Sequence, residues 1–135
     1  RLEAGRPTLG ICLGLQILCS GSDESPDTPG IGIIEGRATR FSGDVHIPQL
    51  GWNRITAAPG DGLLTDGWVY FANSYRLETP PAGWRVAMAD HGGPFVAALE
   101  RGPVLACQFH PELSGEFGID LLRRWIAAGE GGATW

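Results

Sequence analysis

The sequence predicts an α/β domain built on an open sheet, with short antiparallel β segments added to it. Three observations lead there. A buried-type apolar run breaks sharply into a helical stretch across residues 8–20, a series of short β segments fills residues 31–102, and a last apolar run at 104–109 leads into an amphipathic helical pattern. With 135 residues, the chain has the size of one domain. Its 43% apolar and 19% charged content, with 21 Gly and 10 Pro, excludes a highly charged disordered chain and points to a turn-rich globular one.

Residues 1–7 read as the end of a helix leaving through Gly5 and Pro7, and residues 8–11 as a strand of buried type. Cys12 follows, and residues 13–20 return to helical character. GSDESPDTPG, residues 21–30, is the clearest loop. Strands are predicted at 32–41, 52–57, 68–73, 84–90 and 94–100, separated by turns at 59–62, 80–83 and 91–93. A further strand at 104–109 is interrupted by His110-Pro111-Glu112. Phe117, Leu121, Leu122, Trp125 and Ile126 then recur at helical spacing, giving a helix that packs on the sheet, and residues 129–135 read as a frayed tail.

The net charge is −5, and all ten basic residues are Arg. So acidic and dispersed a balance argues against a nucleic-acid partner. The absence of Lys excludes phosphate loops and Schiff-base chemistry that require it. No stretch approaches the roughly 20 apolar residues of a membrane span, and the first residues show no basic segment followed by an apolar one. Three Cys, at 12, 19 and 107, cannot all pair within one chain and lack zinc-ribbon spacing. Along one helix Cys12 and Cys19 lie about 10 Å apart, too far for a disulfide. Reduced thiols and a cytoplasmic location are expected.

GICLGLQ sets Cys12 between Gly10 and Gly14, at the junction of strand and helix. A nucleophile has to stand clear on such a turn, and flanking glycines relieve its crowding. At a helix N-terminus the dipole and free N–H groups are expected to favour thiolate and to hold an oxyanion. The alternative is a small buried Cys in a Gly-rich turn. In QFHPE, residues 108–112, Pro111 pushes His110 toward extended geometry, where residues two apart point the same way. Glu112 can then bind one imidazole nitrogen and leave the other for Cys12. Alone, His-Pro-Glu is equally an ordinary turn; with the Cys12 motif it forms a nucleophile–base–orienter set at the carboxyl ends of central strands.

GICLGLQ followed about a hundred residues later by CQFHPE resembles the class I glutamine amidotransferases. The resemblance implies a flavodoxin-like three-layer open sheet and a Cys–His–Glu triad, with Cys12 as nucleophile, His110 as base and acid, and Glu112 as its orienter. It implies the backbone N–H of Leu13 in the oxyanion hole, and Gly14, Gln16, Asn73, Ser74 and Tyr75 around a bound glutamine, with no cofactor or metal. GIGIIEGRATRF (30–41), IPQLGWN (47–53) and VYFANSY (69–75) look like one branch of that family. Its members form a heterodimer with a (β/α)8-barrel cyclase subunit and pass it ammonia for imidazole glycerol phosphate synthesis in histidine biosynthesis. By that likeness Pro48, Gln49, Gly51, Trp52 and Asn53 face the partner, whereas core packing is the other reading of Trp52 and Tyr70.

The chain departs from the branch in having Leu113 where Lys is common and Asn73 where His is frequent. The family's first strands and its Gly-rich loop find no counterpart here. Residues 1–135 are therefore expected to be the C-terminal two-thirds of a glutamine amidotransferase type 1 domain, with reduced activity alone. Two rivals stay open: another class I amidotransferase or γ-glutamyl hydrolase with the same triad, and a non-catalytic interaction module.

Overall fold

Strand β1 (Thr8–Ile11) lies parallel to β9 (Val104–Cys107), in a register that sets Ile11 opposite Cys107. The computed structural model describes residue 2 and residues 4–130. After β1 come helix α1 (Leu13–Leu18), β2 (Cys19–Ser22), β3 (Ile34–Arg40), β4 (Gln49–Ala57), β5 (Gly67–Asn73), β6 (Tyr75–Arg76), β7 (Arg85–Asp90), β8 (Pro94–Arg101), β9, a 3-10 turn (Pro111–Leu113) and helix α2 (Gly115–Glu130). Six strands form one sheet in the order β1-β9-β8-β7-β4-β5, and a smaller sheet runs β2-β3-β6. In the larger sheet only β1 and β9 are parallel; the remaining pairs are antiparallel.

Side chains that alternate along β8 and β9 build two cores, one on each face. Phe95, Leu105 and Cys107 join Phe71, Phe109 and, from α2, Leu121, with Phe117 and Trp125 alongside. Val96, Leu99, Val104 and Ala106 meet Leu15 and Leu18 of α1 together with Cys19, Ile34 and Leu77 from the small-sheet side. Because β8 is covered on both faces, residues 95–100 are buried without a break. A bulge at Ala97 shifts the β7–β8 register, and its carbonyl accepts the N–H of Gln108 at 2.8 Å.

Several sequence boundaries shift. The first helix stops at Leu18, since Cys19 turns extended and β2 pairs in parallel with β3, where residues 19–22 had been divided between helix and loop. β4 starts at Gln49 rather than 52, so most of the IPQLGWN segment is strand, paired along its length with β5. β9 ends at Cys107, two residues early, and β1 occupies an edge of the described sheet rather than its centre. α2 continues through Glu130, past the expected start of the tail; residues 131–135 lie outside the described residues. Its buried stripe runs through Gly118 and Leu121, and Ile126 faces outward, 50% exposed. Among the described residues no helix is long and apolar enough to cross a membrane.

A largely buried ion pair ties the turn between β4 and β5 to the sheet. Arg85 and Glu100 are cross-strand partners 2.6 Å apart. Glu100 accepts the Leu63 N–H at 2.9 Å, while Arg85 donates to the carbonyls of Ala58, Gly60 and Leu64. Removing one member leaves the other charge buried without its counter-ion, so Glu100→Ala is expected to cost about 3 kcal/mol. Urea unfolding checks this, as a lower midpoint at unchanged slope.

Candidate functional site: a strained cysteine turn beside a His–Glu pair

The parallel pairing of β1 with β9 brings two segments that are far apart in sequence to the same end of the sheet. Cys12 follows β1 directly, and its N–H donates to the Cys107 carbonyl at 2.7 Å, extending the ladder by one bond. The backbone then has to reverse into α1. Cys12 does so with φ 52° and ψ −105°, the one described non-Gly residue with positive φ. Such a conformation costs on the order of 1–3 kcal/mol and holds the side chain clear of both strand and helix. Gly10 makes the turn possible, since a Cβ there would stand 3.0 Å from the Gly14 carbonyl carbon and 3.2 Å from the Leu15 nitrogen. At Gly14 a Cβ would meet nothing within 4 Å, so crowding is relieved on the strand side only.

A cavity of about 290 Å³ opens at the sulfur, lined by Cys12, Leu13, Gln16, Glu24, Pro48 and residues 72–75. Asn73, Ser74 and Tyr75 thus reach it together with Gln16, whereas Gly14 is not among the lining residues. Asn73 is buried and its amide is already engaged, donating to the Tyr75 carbonyl at 3.0 Å and accepting from Gln49 at 3.3 Å.

His110 is extended, as the following proline dictates, with φ −98° and ψ 98°. Its Nδ1 lies 2.6 Å from Glu112 Oε1. The expected pair is present, but strand alternation does not make it. Pro111–Leu113 is a 3-10 turn, and that turn folds the carboxylate back onto the ring. Because a carboxylate only accepts, Nδ1 carries the proton and Nε2 keeps its lone pair in the neutral imidazole. The turn is pinned to β5: the His110 N–H donates to the Tyr70 carbonyl at 2.9 Å, the Tyr70 N–H to Ser114 Oγ at 2.9 Å, and Ser114 Oγ to the His110 carbonyl at 2.6 Å.

Burial pushes the Cys12 thiol above its ordinary range. The Leu13 N–H at the sulfur opposes this, the carboxylates of Glu112 and Glu24 add to it, and the Gln108 amide opposes it again. The expected bias toward thiolate is therefore reversed: desolvation outweighs the one favourable N–H, and a helix of six residues adds little. A cysteine in this setting needs a base. Cys19 and Cys107 are also free, and burial alone pushes Cys19 up to about 11.

The residues expected to face a partner divide by strand alternation. Trp52 is 55% exposed, which excludes the core reading, and Tyr70 packs edge-on against it with ring centres 6.1 Å apart. Gln49 points the other way and is buried, and Asn53 turns in beside it to donate to Gln49 and to the Asp90 carbonyl. Neither amide stands on the outer face; Leu50, in the same segment, does, at 66% exposure. Glu24 and Ser114 were missed. A carboxylate in a polar loop carries no signal of its own, while Ser114, just ahead of a helical run, carries the helix-start signal.

The class I glutamine amidotransferase family matches residues 1–127. The chain belongs to that family. Among similar proteins, the imidazole glycerol phosphate synthase subunit HisH of Symbiobacterium thermophilum is 40% identical over 126 residues, covering 90% of this chain and 59% of that protein. The same subunit from Deinococcus radiodurans is 44% identical over 127 residues, covering 89% and 59%. The chain thus spans about 59% of the length of these relatives. A crystal structure described as a glutamine amidotransferase superposes with TM-score 0.70 at 24% identity, covering 96% of this chain and 65% of its own, and so shares the fold.

Ser114→Ala leaves the Tyr70 N–H unpaired and is expected to lower stability by about 1–2 kcal/mol, read from urea unfolding. Iodoacetamide labelling of Cys12 is expected to be slow at neutral pH. With the neutral thiol favoured, the thiolate fraction rises only through a midpoint above that of free cysteine, which a pH series of labelling rates measures.

Proposed function

We propose that this chain carries the glutaminase centre of an imidazole glycerol phosphate synthase. Cys12 is the nucleophile, His110 the base and acid, and Glu112 the group that orients His110. The observation that carries the reading is the juxtaposition, across β1 and β9, of a strained cysteine turn opening on a cavity and a histidine whose Nδ1 is held by a carboxylate. The names of the similar subunits support the assignment to an imidazole glycerol phosphate synthase, and the family supports glutamine as the substrate.

In the proposed reaction His110 Nε2 takes the Cys12 proton as the sulfur attacks the side-chain amide carbon of glutamine. The Leu13 N–H receives the developing oxyanion. When the carbon–nitrogen bond breaks, His110 returns the proton to the departing nitrogen, releasing ammonia and leaving a γ-glutamyl thioester. Water, deprotonated by His110, attacks the thioester; glutamate leaves and the thiol is restored. The balance is glutamine plus water to glutamate plus ammonia, with no cofactor or metal. Gln16, Ser74 and Tyr75 surround the substrate, and Glu24, the carboxylate lining the cavity, suits its α-amino group. Ammonia then passes to a (β/α)8-barrel cyclase subunit in a heterodimer, in the reducing cytoplasm that suits three free thiols. The outer face of β4 and β5, with Leu50, Trp52 and Trp68 exposed, is apolar enough to dock that partner.

Cys12→Ala, assayed in the intact protein with its cyclase, is expected to abolish glutamine-dependent synthesis and to leave synthesis from added ammonium near wild type. Loss of both activities contradicts the assignment.

A further inference from the structure

Gln108 is fully buried at the carboxyl end of β9, one residue beyond the last strand position, and its backbone is fixed by the bond to Ala97 at the bulge. Its side chain lies between Gln16 and Cys12. Gln16 Nε2 donates to the Tyr75 carbonyl at 3.3 Å and to Gln108 Oε1 at 3.2 Å, and Gln108 Nε2 stands 3.7 Å from the Cys12 sulfur as donor.

The direction of these bonds follows from one fixed group. A peptide carbonyl only accepts, so Gln16 has to turn its nitrogen toward Tyr75. The second proton of that nitrogen needs an acceptor, which makes Gln108 present its oxygen and leaves its own nitrogen aimed at the sulfur. Flipping Gln108 would set two amino groups against each other. Asn73 donates to the same Tyr75 carbonyl at 3.0 Å and helps hold it in place.

A neutral thiol is a weak acceptor, whereas a thiolate is a strong one. The neutral Cys12 thiol can direct its proton to the Ala72 carbonyl, 3.9 Å away. Loss of that proton leaves the sulfur facing the Leu13 and Gln108 N–H groups. A buried amide donor opposite a weak acceptor is under-satisfied until the acceptor becomes an anion.

We infer that Gln108 is a catalytic residue: its amide donates to the Cys12 sulfur, orients it, and stabilises it as the anion that attacks, with Tyr75 and Gln16 setting the direction of the donation. This rests on Cys12 being the nucleophile of the proposed reaction.

Gln108→Met keeps the bulk and removes the donor, and Gln108→Glu replaces it with a charge that repels the thiolate. The pH midpoint of Cys12 labelling by iodoacetamide in the intact protein is expected to rise by about one unit in the first and further in the second. Glutamine hydrolysis with the cyclase present should lose about 10–100-fold in kcat with KM within about threefold, a split that a merely space-filling glutamine does not produce. A Gln108→Met labelling profile that overlays the wild type overturns the inference, as does a loss confined to KM. Side-chain amide NMR of the ¹⁵N-labelled wild-type protein makes the same test without altering Gln108. Its amide protons should shift with the ionisation of Cys12, and the shift should vanish in Cys12→Ala; a Gln108 signal that ignores Cys12 overturns the inference even if both variants fail to fold. Labelling and NMR use no glutamine, so the expected results there combined with absent hydrolysis would count against the glutaminase reading and uphold the hold of Gln108 on the sulfur.

Discussion

The parallel pairing of β1 with β9 is the constraint on which the site depends. Its register sets Ile11 against Cys107, and one further bond, from the Cys12 N–H to the Cys107 carbonyl, fixes where the first strand ends. Both chains leave the sheet at that point. One reverses through Cys12 into α1; the other continues through Gln108 to His110 and the 3-10 turn. Slipping the register by one residue would turn Ile11 and Cys107 to opposite faces and separate the sulfur from the amide that faces it. Open α/β sheets collect residues at the carboxyl ends of their strands in this way.

Backbone conformation and side-chain direction at this point are over-determined by neighbours. Strain at Cys12 is offset by the close approach that Gly10 allows and by the burial of Leu15 and Leu18 beneath it. The histidine turn is held to β5 through Tyr70 and Ser114. β5 therefore serves two surfaces. Its backbone positions the imidazole, while the Tyr70 ring packs on Trp52 at the exposed face. Gln49 belongs to the same design, since its buried amide joins the strand that carries Trp52 to Asn73 at the cavity.

Much of this was legible in the sequence because the responsible signals are local. Gly10 before Cys12, Pro111 after His110 and the apolar runs at 8–11 and 104–107 fix element type and direction within a few residues. The short β2 was not legible: CSGS has the composition of a loop, and only its parallel partner β3 makes it a strand. The reactivity of Cys12 was misread for a related reason. A helix N-terminus is visible in sequence, but the burial that outweighs it depends on what the fold stacks around the sulfur. Likewise PQLGWN marked the right segment, while the choice between Gln49 and Leu50 for the outer face needed the strand's register. Ser114 and Gln108 carry their roles through partners dozens of residues away, Tyr70 and Cys12, and no local pattern announces such bonds.

The β1–β9 ladder also has a consequence for the order in which the molecule assembles. The hairpins β4–β5, β7–β8 and β8–β9 close short loops, whereas β1 has to find β9 across nearly the whole chain. Loop-closure entropy puts that long-range pairing late, after the local hairpins have supplied a surface to dock on. The reversal at Cys12 depends on that docking for the bond from its N–H to the Cys107 carbonyl. A chain caught partway along its folding route therefore has its hairpins but not its cysteine turn.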